Sequence, residues 1–132
     1  MQIEHLALNL EHAEAVVAWY HRHLGMPIHR QQHEPLYAAF LGQPPSLLEI
    51  YCNPDHPLAE PEAWHCLTLH LALTSEDLAG DRDRLLAAGA SLVAEHCDGP
   101  DADGYGVLML RCPWGLPLQL CRRREAIAAT HV

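Results

Sequence analysis

Hydrophobic positions along the chain follow two periods, and the switch between them occurs twice in the same order. An alternating run, HLAL at 5–8, leads through a polar turn into a segment from about Glu11 to Leu24. There Ala13, Val16, Val17, Tyr20 and Leu24 fall at the three-and-four spacing of a helix with one buried stripe. HLAL returns at 70–73, followed by a segment from about Glu76 to Ala88. This second segment places Leu78, Leu85 and Leu86 on one side, with Asp81, Arg82, Asp83 and Arg84 largely on the other. Asn9 reads as the start signal of the first helix, and Thr74 with Asp77 as a capping box for the second; Gly25 and Gly89 close them. Three short apolar runs follow each helix, near 27–32, 36–41 and 46–52 in the first half and near 91–97, 105–112 and 116–122 in the second. Each half therefore reads strand, helix, strand, strand, strand.

The expected fold class is α+β, with two tandem βαβββ modules at 1–53 and 66–124, a proline-rich linker at 54–65 and a C-terminal tail at 125–132. A half of about 60 residues buries too little to be comfortable alone, so the two sheets are expected to pair around a concave metal or substrate cup.

Parity along a strand assigns faces. His5 shares a face with Ile3 and Ala7, Glu49 with Leu47 and Tyr51, His70 with Thr68 and Ala72, and Gln119 with Pro117 and Cys121. In all four strands the opposite face is leucine-rich and fit to pack a helix. The candidate chemistry lies in the polar member of each set. A lone buried carboxylate costs several kcal/mol unless paired, neutralised or bound to a metal. Two imidazoles, one carboxylate and one amide oxygen at matched positions of a repeat suit a divalent transition metal (Ni, Co, Zn, Fe or Mn) better than Ca or Mg. The metal ligands are thus expected to be His5, Glu49, His70 and Gln119. The bland alternative for a single strand histidine is a hydrogen-bonded core or surface residue, and matched placement in the two halves is what argues against it.

Composition narrows the partners. The net charge is -9 with histidine neutral, which gives no field for a phosphate backbone, so no nucleic-acid partner is expected. No stretch reaches the roughly 18 apolar residues of a membrane span, and the start MQIEHLALNLEH carries acid where a signal peptide carries base; a cytoplasmic location and no membrane partner follow as expectations. The five cysteines form no CxxC pair and read as reduced thiols, mostly buried in strands. Eleven histidines make the charge strongly dependent on imidazole protonation. His12, His21, His23, His33 and His65 read as solvated, with His33 or His65 able to assist at a site. The Asp- and Gly-rich segment 98–104 reads as a mobile hairpin or a lid, and Arg122–Arg124 as a solvated strand end.

The segments HLALNLEHAEAVVAWYHRHLGM, LLEIY, HLALTSEDL and GVLMLRCPWGLPLQL together resemble the vicinal oxygen chelate (glyoxalase, bleomycin resistance and dioxygenase) superfamily over about residues 3–124. The resemblance implies paired βαβββ modules, a metal held by His5, Glu49, His70 and Gln119, a homodimer and a small-molecule substrate. Length and ligand pattern are most similar to glyoxalase I, a lyase or isomerase acting on the hemithioacetal of methylglyoxal and glutathione. What this implies is a metal that stabilises an enediolate-like intermediate of a small carbonyl or thioester substrate, with a carboxylate moving a proton at the adjacent carbon. The chain departs from that pattern at Gln119, where bacterial glyoxalase I carries Glu. An amide keeps an oxygen ligand but does not titrate usefully, which leaves Glu49 as the catalytic carboxylate. Methylmalonyl-CoA epimerase resembles the same plan with amide and acid exchanged. Two other functions stay open: a metal-free drug-binding module of the bleomycin-resistance type, and extradiol dioxygenase chemistry on His5, His70 and Glu49.

Overall fold

A computed structural model describes residues 1–128; the last four residues of the expected tail lie outside the described residues. The chain divides into two compact units, residues 1–60 and a second beginning at Pro61. The first contains β1 (His5–Asn9), α1 (Ala13–Leu24), β2 (Ile28–Gln32), β3 (Ala38–Gln43) and β4 (Ser46–Tyr51). The second contains β5 (Leu71–Thr74), α2 (Leu78–Ala87), β6 (Ser91–Leu92), β7 (Gly106–Arg111) and β8 (Pro117–Arg122), with short 3-10 turns at Pro61–Ala63 and Ala94–His96. The sheet orders are β1-β4-β3-β2 and β5-β8-β7-β6, so both units have the expected βαβββ plan. In each, the first strand runs parallel to the last and the other pairs are antiparallel.

The helical stripe is buried as its spacing dictates. Ala13, Val16, Val17 and Tyr20 are each 1% exposed, and α1 packs on β3 and β4, where Leu41 and Ile50 are fully buried. Trp19 extends this face, while Leu24 at its end is only half-buried. Gly25 closes α1 in the left-handed region at φ 67°, its N–H donating to the Tyr20 carbonyl. In the second unit Leu78 and Leu85 anchor α2 against β7 and β8, over Leu108, Leu110, Leu118 and Leu120. Among the described residues no helix is long and apolar enough to cross a membrane.

Several local expectations give way. Asn9 does not start α1; it ends β1, and the residue capping α1 is His12, whose side chain makes no cap hydrogen bond. The Asn9 carboxamide instead donates to the carbonyls of Asn53 (3.0 Å) and Pro57 (3.1 Å) and accepts from the Asn53 N–H (2.7 Å), fastening the segment after β4 to β1. The cap of α2 is Asp77 rather than Thr74, with its carboxylate accepting from the Gly80 N–H at 3.0 Å. The expected strand 91–97 shrinks to Ser91–Leu92, because the chain turns into the 3-10 segment at Ala94–His96. Thr68 and Leu69 belong to a turn, so strand alternation begins only after His70. The leucine-rich face is closed on the inner strands, where Leu48 and Leu118 are buried, but it opens at the edges: Leu6 is 51% exposed on β1. Leu86 likewise lies at the margin of the α2 face. Of the five free cysteines, Cys66, Cys112 and Cys121 are buried, and only Cys121 lies within a strand.

Candidate functional site

In the first unit, sheet register brings His5 and Glu49 together. His5 pairs with Leu47 across the parallel β1–β4 ladder, and Glu49 pairs with Ala7 on one side and Phe40 on the other, so all five side chains share a face. His5 Nε2 lies 3.2 Å from Glu49 Oε2. Phe40, the single phenylalanine of the chain, meets the His5 ring edge-on at a centroid distance of 5.2 Å. His5 Nδ1 is 2.9 Å from Glu4 Oε1, so the imidazole stands between two carboxylates. A neutral imidazole carries one N–H and one lone pair, and a carboxylate offers only lone pairs. One nitrogen of a neutral His5 therefore faces a carboxylate oxygen lone pair to lone pair, and a cation at that nitrogen, either a second proton or a metal ion, relieves the clash. Two ligands at right angles on a metal with bonds of about 2.1 Å stand about 3.0 Å apart, close to the separation of Nε2 and Oε2. The pair thus fits two adjacent corners of a metal site.

A hollow of about 260 Å³ lies on this face, lined by Glu4, His29, Arg30, Phe40 and Leu47. It sets the Arg30 guanidinium and the Glu4 carboxylate beside the Phe40 and His29 rings, a mixed polar and apolar lining able to take a small polar ligand.

In the second unit, His70 immediately precedes β5, and Gln119 on β8 pairs with Ala72 of β5 and Met109 of β7. Gln119 thus occupies the position in its sheet that Glu49 occupies in the first, with the buried Met109 standing where Phe40 stands. Gln119 is half-buried and its carboxamide makes no hydrogen bond among the described residues. His70 Nδ1 lies 2.9 Å from the Cys66 carbonyl oxygen, which can only accept, so Nδ1 carries the proton and Nε2 the lone pair. An oxygen acceptor on Nδ1 that leaves Nε2 free is the arrangement of metal-binding histidines. His70 has this arrangement through a backbone carbonyl; His5 has the acceptor on Nδ1 through Glu4, while its Nε2 faces Glu49.

Four of the remaining histidines are engaged elsewhere. His33 pairs with Glu14 of α1 at 3.2 Å and edges the Tyr37 ring; the Tyr37 hydroxyl is pushed above its ordinary pKa by burial and then by the negative Glu14. His21 bonds the Met26 carbonyl, His29 the Gly42 carbonyl, and His23 stacks at a tilt on Trp19. His131 lies outside the described residues.

The segment 98–104 is tied down at its base. Asp101 Oδ1 accepts from the N–H groups of Asp103 and Tyr105, both at 2.9 Å, while Arg124 bridges Asp101 (2.9 Å) and Asp103 (3.0 Å). Arg122 and Arg124 both lie over the Tyr105 ring, at 4.6 and 4.3 Å from its centroid. Arg124 is thus part of a staple joining the loop to the strand end, not a free terminus.

Sequence reasoning gave no weight to one further cluster: the donor atoms of His65, Cys66 and His96 lie within 4.8 Å of one another. The only sequence signal for it is the His-Cys dipeptide, present at 65–66 and again at 96–97.

Residues 2–120 match the family model described as Glyoxalase/Bleomycin resistance protein/Dioxygenase superfamily. Among solved structures, a glyoxalase family protein from Enterococcus faecalis is 28% identical, with a TM-score of 0.65, 92% of this chain covered and 97% of that one. An antibiotic binding protein from a Streptomyces species shares 17% identity and a TM-score of 0.63 over 92% of this chain and 94% of that one. Glyoxalase I from Zea mays shares 15% identity and a TM-score of 0.71 over 94% of this chain and 45% of that one. At these last two identities the likeness is one of fold. No curated protein matches the chain.

Proposed function

Because the chain belongs to the Glyoxalase/Bleomycin resistance protein/Dioxygenase superfamily, we propose that it is a metal-dependent lyase or isomerase of the glyoxalase I-like type. Its metal ligands are His5, Glu49, His70 and Gln119, its substrate is a small carbonyl or thioester compound, and it acts as a homodimer. The observation that carries this reading is the state of the two histidines. His5 is held between Glu4 and Glu49 in a way that calls for a cation, and His70 has its Nδ1 proton committed to Cys66, leaving Nε2 to donate. A bound divalent metal supplies Lewis acidity, polarising a substrate carbonyl and stabilising charge that develops on its oxygen.

This chain's own residues do the rest. Glu49 is the carboxylate of the set, and it takes and returns the proton at the carbon beside the carbonyl; Gln119 contributes an oxygen but cannot titrate. Phe40 and Leu47 present an apolar wall beside the pair, and Arg30 offers a partner for an anionic substrate group.

A binding module of the antibiotic-sequestering kind is the second reading, favoured by the replacement of one potential base by Gln119. Metal analysis of wild type beside His5→Ala and His70→Ala separates the two. The enzyme reading expects both variants to hold one metal equivalent fewer than wild type, whereas equal metal in all three refutes it. The hemithioacetal isomerisation assay then compares wild type, Gln119→Glu and Glu49→Gln. Activity that survives Glu49→Gln removes Glu49 from proton transfer, and inactivity of both wild type and Gln119→Glu removes glyoxalase I chemistry.

A further inference from the structure

The second unit brings together three ligating side chains that the proposed lyase chemistry does not use. His65 and Cys66 follow the 3-10 turn at Pro61–Ala63, and His96 ends the turn at Ala94–His96. Thirty residues separate the two groups in sequence, yet the His65 and His96 rings meet edge-on at a centroid distance of 5.4 Å. Among the described residues, these are the three His, Cys or carboxylate side chains whose donor atoms converge, all within 4.8 Å. Their burial is graded: the Cys66 side is buried, His96 is half-buried and His65 is exposed, so a fixed thiol sits beneath an open rim.

Both segments are anchored to β7, which makes the convergence a property of the fold. Arg111 on β7 donates to the Trp64 carbonyl at 2.5 Å and to the Pro61 carbonyl at 3.2 Å, holding the backbone immediately before His65. On the other side the Val93 N–H donates to the Met109 carbonyl at 2.8 Å, and the Cys97 thiol accepts from the Met109 N–H at 3.4 Å, holding the backbone on either side of His96. The same β7 strand therefore sets the distance between the histidines.

We propose that His65, Cys66 and His96 form a second metal site, one that takes a thiophilic d10 cation, zinc(II) in the first instance, with the fourth tetrahedral position open. One thiolate with two imidazoles is a soft to borderline donor set, and three protein ligands with a vacant corner suit tetrahedral zinc. With metal–sulfur bonds near 2.3 Å and metal–nitrogen bonds near 2.05 Å, the ligand atoms of a tetrahedral site stand about 3.3–3.6 Å apart. The donor atoms, all within 4.8 Å, reach that spacing by a contraction of at most about 1.5 Å, for which the exposed His65 ring is free to rotate. The rearrangement costs the hydrogen bond from the Leu67 N–H to His65 Nδ1, and water replaces it because Leu67 is exposed. Sulfur distinguishes this site from the His5, Glu49, His70 and Gln119 set, so the two readings stand or fall separately.

The test uses the reduced full-length protein with cobalt(II) as a spectroscopic probe. A thiolate-to-cobalt charge-transfer band in the near ultraviolet requires a Cys ligand, and the nitrogen and oxygen set cannot give one. The expected result is a band that saturates at one cobalt per chain, is displaced by zinc(II), disappears in Cys66→Ala and needs at least tenfold more cobalt in His65→Ala and in His96→Ala. His65→Ala changes an exposed side chain and keeps the test decisive if loss of the buried thiol disturbs folding. No band in wild type, a band that persists in Cys66→Ala, or a titration unchanged in both histidine variants overturns the proposal.

Discussion

Asn9 offers a test in which two structural roles predict opposite outcomes for one substitution. As a helix cap it would accept a hydrogen bond from a backbone N–H, and Asp would serve as well or better, since a carboxylate is favoured at a helix N-terminus. In the structure the carboxamide is a staple, with two donated bonds and one accepted bond reaching 44 to 48 residues along the chain. At about 0.7–1 kcal/mol for each of the three bonds, below the middle of the usual range because Pro57 is exposed, Asn9→Ala loses about 2–3 kcal/mol. With a urea m value of about 2 kcal/mol/M, the unfolding midpoint falls by about 1–1.5 M. Asn9→Asp keeps the bond from the Asn53 N–H, removes both donations and sets carboxylate oxygens against the Asn53 and Pro57 carbonyls. It is expected to lose at least about 2 kcal/mol at neutral pH. Urea titrations of the three proteins, followed by tryptophan fluorescence and far-UV circular dichroism, provide the measurement. An Asn9→Asp protein as stable as wild type, or an Asn9→Ala midpoint unchanged within error, refutes the staple.

Four further outcomes follow from the packing and the charges. Arg111 donates to the carbonyls of Pro61, Trp64 and Gly115, so Arg111→Met should cost roughly 3 kcal/mol in the same titration, at about 1.5 kcal/mol or less for each partly buried charge-assisted bond. Leu41 is fully buried between α1 and the sheet, and Leu41→Ala should cost about 2–5 kcal/mol; a loss under about 1 kcal/mol would mean that the site collapses or is loosely packed. Asp77→Ala should cost about 1 kcal/mol while Thr74→Ala stays within about 0.5 kcal/mol, and the reverse order would restore Thr74 as the cap. The Asp101 carboxyl is held below its ordinary pKa, first by the Tyr105 N–H and then by Arg124. Since its folded value is the lower one, its contribution is complete above the unfolded-state value and is lost as pH falls through the folded one. Asp101→Asn should therefore flatten the acid limb of stability against pH, and an unchanged limb would contradict the assignment.

The features that survived from sequence to structure are those fixed by periodicity. A period of two at 5–8 and 70–73, followed by a period near 3.6, determined the module plan. Parity within a strand was enough to place His5 and Glu49 on one face, because a strand offers a side chain only two directions. What failed was chemistry that serves several structures equally well. Asn is favoured at caps and also in side-chain bonds to loop backbone, and the sequence around Asn9 does not choose between them. Ser91–Cys97 alternates passably, yet Ala94, Glu95 and His96 close a 3-10 turn, since only two residues pair across to Leu110 and Arg111. The His65, Cys66 and His96 cluster was illegible for another reason. Its members sit on turns, where side-chain direction has no period to read, and the link between them runs through Arg111 and Met109 on a third segment.

The pairing of first strand with last also orders events during synthesis. The sheet of the first unit lacks its inner strand until residue 51 has been made, and that of the second until residue 122, because β4 and β8 each lie between the opening strand and the remaining two. At a translation rate of roughly 5–20 residues per second, the intervening 71 residues (122 minus 51) give the first unit a lead of about 4–14 s. That interval is long compared with the folding time of a small domain, about a second or less. The first unit therefore has all four of its strands, with His5 and Glu49 among them, several seconds before its counterpart has been translated.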